Sequence, residues 1–218
     1  MPPKKLLLLL LIFVLCLGNL SCKRQPKSTA EVPIVLSHGY TISVAPFTQP
    51  TTPQELILGR IPEQQGVINA NDLQMLDQEF KHILYSKKNR RYVFLESRLP
   101  LTSLNTHSAA QPQGLNYWVE YGRKHGADLL LVPQVLNWHE REGSRAGVTQ
   151  SAWVRVEFFL LRIRTGQIMH RSIFEEKQEA LTDNFLNIGS FLKRRGTWVT
   201  ATDLAKDGMQ KACKDLGI

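Results

Sequence analysis

Cys22 is the residue in this 218-residue chain with the most definite chemistry. It follows the small Ser21 at the end of an apolar run, the setting in which a cysteine sulfur receives a diacylglycerol and becomes the first residue of a mature lipoprotein. Two further groups have types and spacing suited to binding. Lys193, Arg194 and Arg195 stand just before Trp198, and an arginine beside an exposed aromatic is a favourable recognition pair. The alternative is that Trp198 packs in the core while the basic residues are solvated. Arg141 and Arg145 lie in REGSRAGVTQ (141–150), which reads as a hairpin tip, with or without a partner.

Catalytic patterns are not found. The chain has no Gly-x-Ser-x-Gly, Gly-x-x-x-x-Gly-Lys or His-Glu-x-x-His. Its six histidines, at 38, 82, 107, 125, 139 and 170, have no metal-ligand spacing. Thiol chemistry in the domain would rest on Cys213, because Cys16 leaves with the leader and Cys22 is acylated. Cys213 belongs to the apolar stripe of a helix, so a buried, inert thiol is expected. The sequence implies no enzyme, cofactor or metal.

The leader explains where the chain goes. Lys4 and Lys5 precede twelve uninterrupted apolar residues, Leu6 to Leu17. As a helix that run spans about 18 Å, short of the roughly 30 Å hydrocarbon core. It reads as a cleavable signal and not as a membrane span. The usual lipobox has Leu three residues before the cysteine; here Asn19 holds that place and Leu20 sits one position late. The other reading is an ordinary secretory signal with an incidental cysteine. Several acyl chains hold a protein stably where one does so only marginally. Lys23, not Asp, follows the cysteine, which by resemblance to lipoprotein sorting rules favours the periplasmic leaflet of the outer membrane.

The expected organisation is therefore a signal peptide over 1–21, the lipidated Cys22 with a flexible tether over 22–40, and a single domain over 41–218. Without Lys4 and Lys5 the chain keeps 25 of its 27 Lys and Arg against 19 Asp and Glu, a formal +6. That balance suits anionic lipid headgroups, acidic glycans or an acidic protein partner, and is too diffuse to point to nucleic acid.

Within the domain the spacing predicts a strand over 41–47 and then a long, Pro- and Gly-bearing connection over 48–70. A helix opening near Asn71 follows, with Leu73, Leu76, Phe80, Ile83 and Leu84 on one face. Next come a strand over 92–96, a helix over 115–124 stopped by Gly126, and a doubly buried strand over 128–140. Pro133 implies a bulge or an edge position in that strand. Alternation over 151–164 and 167–175 across Thr165-Gly166 predicts a hairpin. Helices are expected over 182–193 and after a Thr200 or Thr202 cap, the last with Leu204, Met209, Ala212, Cys213 and Leu216 inward. The class is α+β, one mixed sheet with helices packed on it in the order β-α-β-α-β-β-β-α.

The stretch YGRKHGADLLLVPQVL (121–136) and the hairpin RIRTGQIMHRSIFEE (162–176) carry a resemblance. They are similar to the helix–Gly-Ala-Asp–strand signature and the Thr-Gly hairpin of a group of envelope proteins. That group includes the curli secretion lipoprotein CsgG, the penicillin-binding-protein activator LpoB and the TolB N-terminal domain. The resemblance covers roughly 41–216 and bears on the fold; the anchor, the compact domain and the missing catalytic groups point to a docking or accessory role at an envelope protein, in cell-wall synthesis or outer-membrane assembly. A pore of the curli kind needs further membrane-spanning strands of about 9–11 residues, and no spare pair is visible. The alternative function is a lipoprotein that binds an anionic glycan or lipid headgroup through Lys193, Arg194, Arg195 and Trp198.

Overall fold

The computed structural model describes residues 39–87, 90–96, 112–143, 148–178 and 199–218. Strands β1 (Thr41–Val44), β2 (Arg91–Phe94), β3 (Leu129–His139), β6 (Trp153–Arg162) and β7 (Gln167–Lys177) form one sheet in the order β2-β1-β3-β6-β7. β1 pairs in parallel with β2 and β3, whereas β3, β6 and β7 are antiparallel. Helices α1 (Ala70–Ser86), α2 (Gly114–Lys124) and α3 (Ala201–Asp215) pack on this sheet. The class and the order of the main elements agree with the sequence.

Topology decides which face each helix covers. β2 lies on one side of β1 and β3 on the other, so the crossovers β1–α1–β2 and β2–α2–β3 run in opposite directions. Parallel crossovers are right-handed, which sends α1 and α2 to opposite faces. On one face Leu76, Phe80 and Leu84 of α1 join Leu204, Met209, Ala212 and Cys213 of α3 over Ile42, Leu131, Val156 and Phe158. On the other, Trp118 and Tyr121 of α2 cover Leu130, Val132, Phe159 and Leu161. β3 is therefore buried on both sides, as its continuous apolar run requires.

The ends of the helices follow capping chemistry. Asn69, two residues before the expected start, caps α1 through its side chain on the Asp72 N–H. Thr200 caps α3, with Asp203 closing the capping box. Gly126, at φ 64°, follows α2, and Gly166, at φ 67°, allows the tight turn of the β6–β7 hairpin.

Pro133 departs from the expectation. It pairs with Phe158 inside β3, and the bulge falls later, between Val135 and Asn137. The Ala45 N–H donates to the Leu131 carbonyl, and the next bond of a parallel ladder would come from the N–H of residue 133. Proline has none, and β1 ends at Val44, before the expected 47. Beyond that point the connection after β1 takes the missing strand's place. The Thr48 N–H donates to the Pro133 carbonyl and the Val135 N–H to the Thr48 carbonyl.

The rest of this connection is fastened to β3 by buried amides. Gln134 donates to the Glu55 carbonyl and accepts from the Ile57 N–H, while Asn137 accepts from the Gly66 N–H. Gly66 is required by close approach, since a Cβ there would stand 2.1 Å from the Trp138 carbonyl oxygen. The connection contains a 3-10 turn, Pro53–Glu55. A second, two-stranded sheet, β4 (Glu142–Gly143) with β5 (Val148–Gln150), lies at the expected hairpin tip.

Candidate functional site

A cleft opens beyond the carboxyl ends of β1 and β2, where open α/β sheets place ligands. Its volume is about 340 Å³. Val44 to Phe47 supply one wall, Phe94 to Glu96 another, and the polar flank of α1 the third, with Gln74, Asp77, Gln78 and Lys81. These four α1 residues recur at three- and four-residue intervals, so one side of the helix presents all of them.

The floor is rigid. The Phe47, Phe80 and Phe158 rings meet with centroids 5.7, 6.0 and 5.4 Å apart, joining the end of β1, α1 and β6. The Asp77 Oδ1 accepts the Phe47 N–H at 2.7 Å and ties α1 to the chain leaving β1. At the rim, the Lys81 Nζ lies 5.3 Å from the Phe94 ring centroid and 6.0 Å from that of Tyr85, an ammonium held over two aromatic faces. The lining offers amides, carboxylates, one ammonium and aromatic surface. Such a set can hold an extended chain or a polar ligand by contact and hydrogen bonding.

A second charged cluster lies on the α2 side of the β6–β7 hairpin. Glu157, 1 % exposed, receives Arg155 Nη2 on Oε1 at 2.9 Å and Arg171 Nε and Nη2 on Oε2 at 2.9 and 2.6 Å. Arg155 also reaches Glu175 at 3.3 Å. With both Glu157 oxygens accepting from arginines of β6 and β7, this carboxylate ties the two strands together. Among the described residues no three His, Cys, Asp or Glu side chains converge as a metal would need.

Of the residues singled out in the sequence, Cys22, Arg145, Lys193, Arg194, Arg195 and Trp198 lie outside the described residues, as does the expected helix over 182–193. Arg141 is half-buried just after β3, and its N–H donates to the Glu140 carboxylate. Glu140 also accepts the Ala201 N–H at the start of α3. The cleft residues were not singled out. Their signal is the polar stripe Gln74, Asp77, Gln78 and Lys81 beside the apolar stripe of α1.

Cys213 is buried as expected, and burial pushes its thiol from 9.0 to about 11, against smaller downward pulls from Lys87 and a backbone hydrogen bond. Burial, with the Cys213 charge, likewise raises Tyr92 from 10.0 to about 12, against the opposing Arg90. A thiol reagent at pH 8 is expected to leave Cys213 unmodified in the native protein and to label it once urea unfolds the chain. The sign of the linkage follows from the raised values. Both groups favour the fold in their neutral forms, so this stability is complete below pH 9 and is lost as pH rises through about 11 to 12. The urea midpoint should fall across that window; a flat midpoint, or rapid native labelling, would contradict the packing of α3.

No family model matches the chain, and no curated protein matches it in sequence. Solved structures similar to it include the PelC dodecamer from Paraburkholderia phytofirmans, at 12 % identity and TM-score 0.46, covering 84 % of this chain and 90 % of that one. Lipoprotein GNA1162 from Neisseria meningitidis is similar at 11 % identity and TM-score 0.35, over 72 % of this chain and 93 % of that one. The LpoB C-terminal domain from Escherichia coli is similar at 13 % identity and TM-score 0.32, over 64 % and 84 % respectively. One member of the group resembled in sequence is thus also among the similar structures.

Proposed function

We propose that the chain is a non-enzymatic accessory lipoprotein of the bacterial envelope, held by acyl chains on Cys22 and facing the periplasm from the outer membrane. Its domain docks on an envelope protein that works in cell-wall synthesis or outer-membrane assembly. The observation that carries the reading is the leader: two lysines, a twelve-residue apolar run too short to span a bilayer, and Ser21-Cys22. The cleft between α1 and the ends of β1 and β2 is the place assigned to the partner. Its phenylalanine floor supplies apolar contact, and its amides and charges supply direction.

In-cell photocrosslinking tests this with the full acylated chain. A photoreactive residue at Gln78 or Lys81 is expected to give adducts with an envelope protein, and one at the exposed Gln210 of α3 far fewer. Adducts should persist in high salt if the floor dominates the contact, because screening acts on charges and not on apolar burial. No envelope-protein adduct at either cleft position would sink the docking role. A mature N-terminus other than acylated Cys22 would sink the anchoring.

A further inference from the structure

We infer that the end of the domain at which the chain enters β1 is a membrane-facing surface that lies on anionic phospholipid headgroups. This rests on the lipid-anchor reading above and deepens it, since it says how the anchored domain stands.

The strand register gathers the residues concerned. Thr41 pairs with Arg91, Ile42 with Leu129, Leu129 with Arg162, and Arg162 with Gln167. The starts of β1, β2, β3 and β7 and the finish of β6 therefore share one end of the sheet. At about 4.8 Å per strand this row is roughly 19 Å wide. The last turn of α2 and the β6–β7 turn come to the same end, and the Arg90 Nη2 bond to the Gly217 carbonyl, 3.0 Å, brings the finish of α3 there as well. Arg91, Arg123, Lys124, Arg162, Arg164 and Lys214 are all exposed on these segments. The exposed acids there are Glu120, Asp128 and Asp215; Glu120 pairs with Arg123 at 3.5 Å, and Asp215 is engaged by Lys211 and Ser172.

Helix dipoles account for only part of this pattern. Arg123, Lys124 and Lys214 stand in the last turns of helices, where cations are favoured in any protein. Arg91, Arg162 and Arg164 stand on strands and a turn, where no such preference acts. Among the described residues of the opposite end, Glu96, Glu140, Glu142 and Asp203 are exposed, beside Arg141 and Lys177. The exposed charges of the described residues are therefore mainly basic at the β1-entry end, and an anionic plane attracts such an end.

The chain itself selects the occupant of this surface. Tyr40, 48 % exposed, immediately precedes β1 at the basic end, and the covalent path to Cys22 leaves from there. An anchor on Cys22 joins the domain at this end. An exposed tyrosine at that point suits the interfacial layer, where an apolar ring and a hydroxyl are both accommodated.

The test uses the full acylated chain in vesicles of phosphatidylglycerol with phosphatidylethanolamine, compared with phosphatidylcholine alone. A fluorophore is placed on Thr165→Cys, in the β6–β7 turn, or on Glu142→Cys at the far end, and quenched by headgroup spin-labelled lipid. The Thr165 label should be quenched severalfold more than the Glu142 label in phosphatidylglycerol vesicles. The ratio should approach one in phosphatidylcholine, in high salt, and in the variant carrying Arg91→Glu, Lys124→Glu, Arg162→Glu and Arg164→Glu. Each basic residue removed from the surface should weaken the headgroup contribution about fivefold. A ratio near one in phosphatidylglycerol vesicles, or a ratio indifferent to lipid charge, overturns the proposal. Salt sensitivity without lipid dependence also overturns it.

Flotation separates this from failure of the anchor. Protein that stays on phosphatidylcholine vesicles in high salt is anchored, whatever its orientation. Protein that is released there is not anchored, and its rebinding to phosphatidylglycerol vesicles at low salt, or its failure to rebind, still decides the surface.

Discussion

Phe158→Ala should lower the unfolding free energy by about 3–5 kcal/mol, read as a shift of the urea midpoint at unchanged slope. Phe158 is fully buried and meets the rings of Phe47, at 6.0 Å, and Phe80, at 5.4 Å. Those three rings come from β6, from the segment leaving β1 and from α1, so no single element can move to fill the void. The cavity cost therefore adds to the lost transfer term. Phe158→Leu, which keeps much of the volume, should cost less than half as much. The void would open under the cleft, so the same variant should also reduce crosslinking from Gln78 and Lys81. A loss below about 1 kcal/mol would mean that the three-ring floor contributes little.

Glu157→Ala is the second large effect, expected at about 2–4 kcal/mol in the same assay. The carboxylate is 1 % exposed and holds both guanidinium groups, so its removal leaves two arginines facing each other beside apolar neighbours. Each arginine side chain retains 26 % exposure and can turn partly to water, which keeps the cost below that of a wholly enclosed charge. Replacing all three, as Glu157→Leu with Arg155→Leu and Arg171→Met, should recover most of the loss, because the desolvation of the ions disappears with the ions. If the triple variant is no more stable than Glu157→Ala, the cluster contributes by shape and not by charge.

Residue spacing foretold the elements whose cause is local. The stripe from Leu73 to Leu84, the run Leu129 to Val132, and the alternation Val154, Val156, Phe158, Leu160 each encode a buried face directly. The Thr165-Gly166 turn and the Thr200 cap are likewise written in short range. The path of the connection after β1 was not legible, because it depends on partners far along the chain. Gln134 and Asn137 look like polar interruptions of an apolar strand, yet they are the groups that fasten residues 55, 57 and 66. Pro133 gave the right warning at the wrong place. Its missing donor ends the ladder with β1 and leaves β3 itself unbent until Val135. The cleft was hidden for the same reason, since it is made by two strand ends and a helix flank that meet only through parallel pairing.

That parallel pairing also constrains how the protein is made. A chain that emerges from a translocation channel amino end first exposes β1 before either of its neighbours exists. Ile42 and Val44 must wait for Tyr92 and Phe94 on one side and for Leu129 and Leu131 on the other. The β6–β7 hairpin needs no such delay, being closed by its own turn. In a chain made amino end first, β1 thus waits for β3 with strand edges bare. Variants that slow formation of β3 should lengthen that interval.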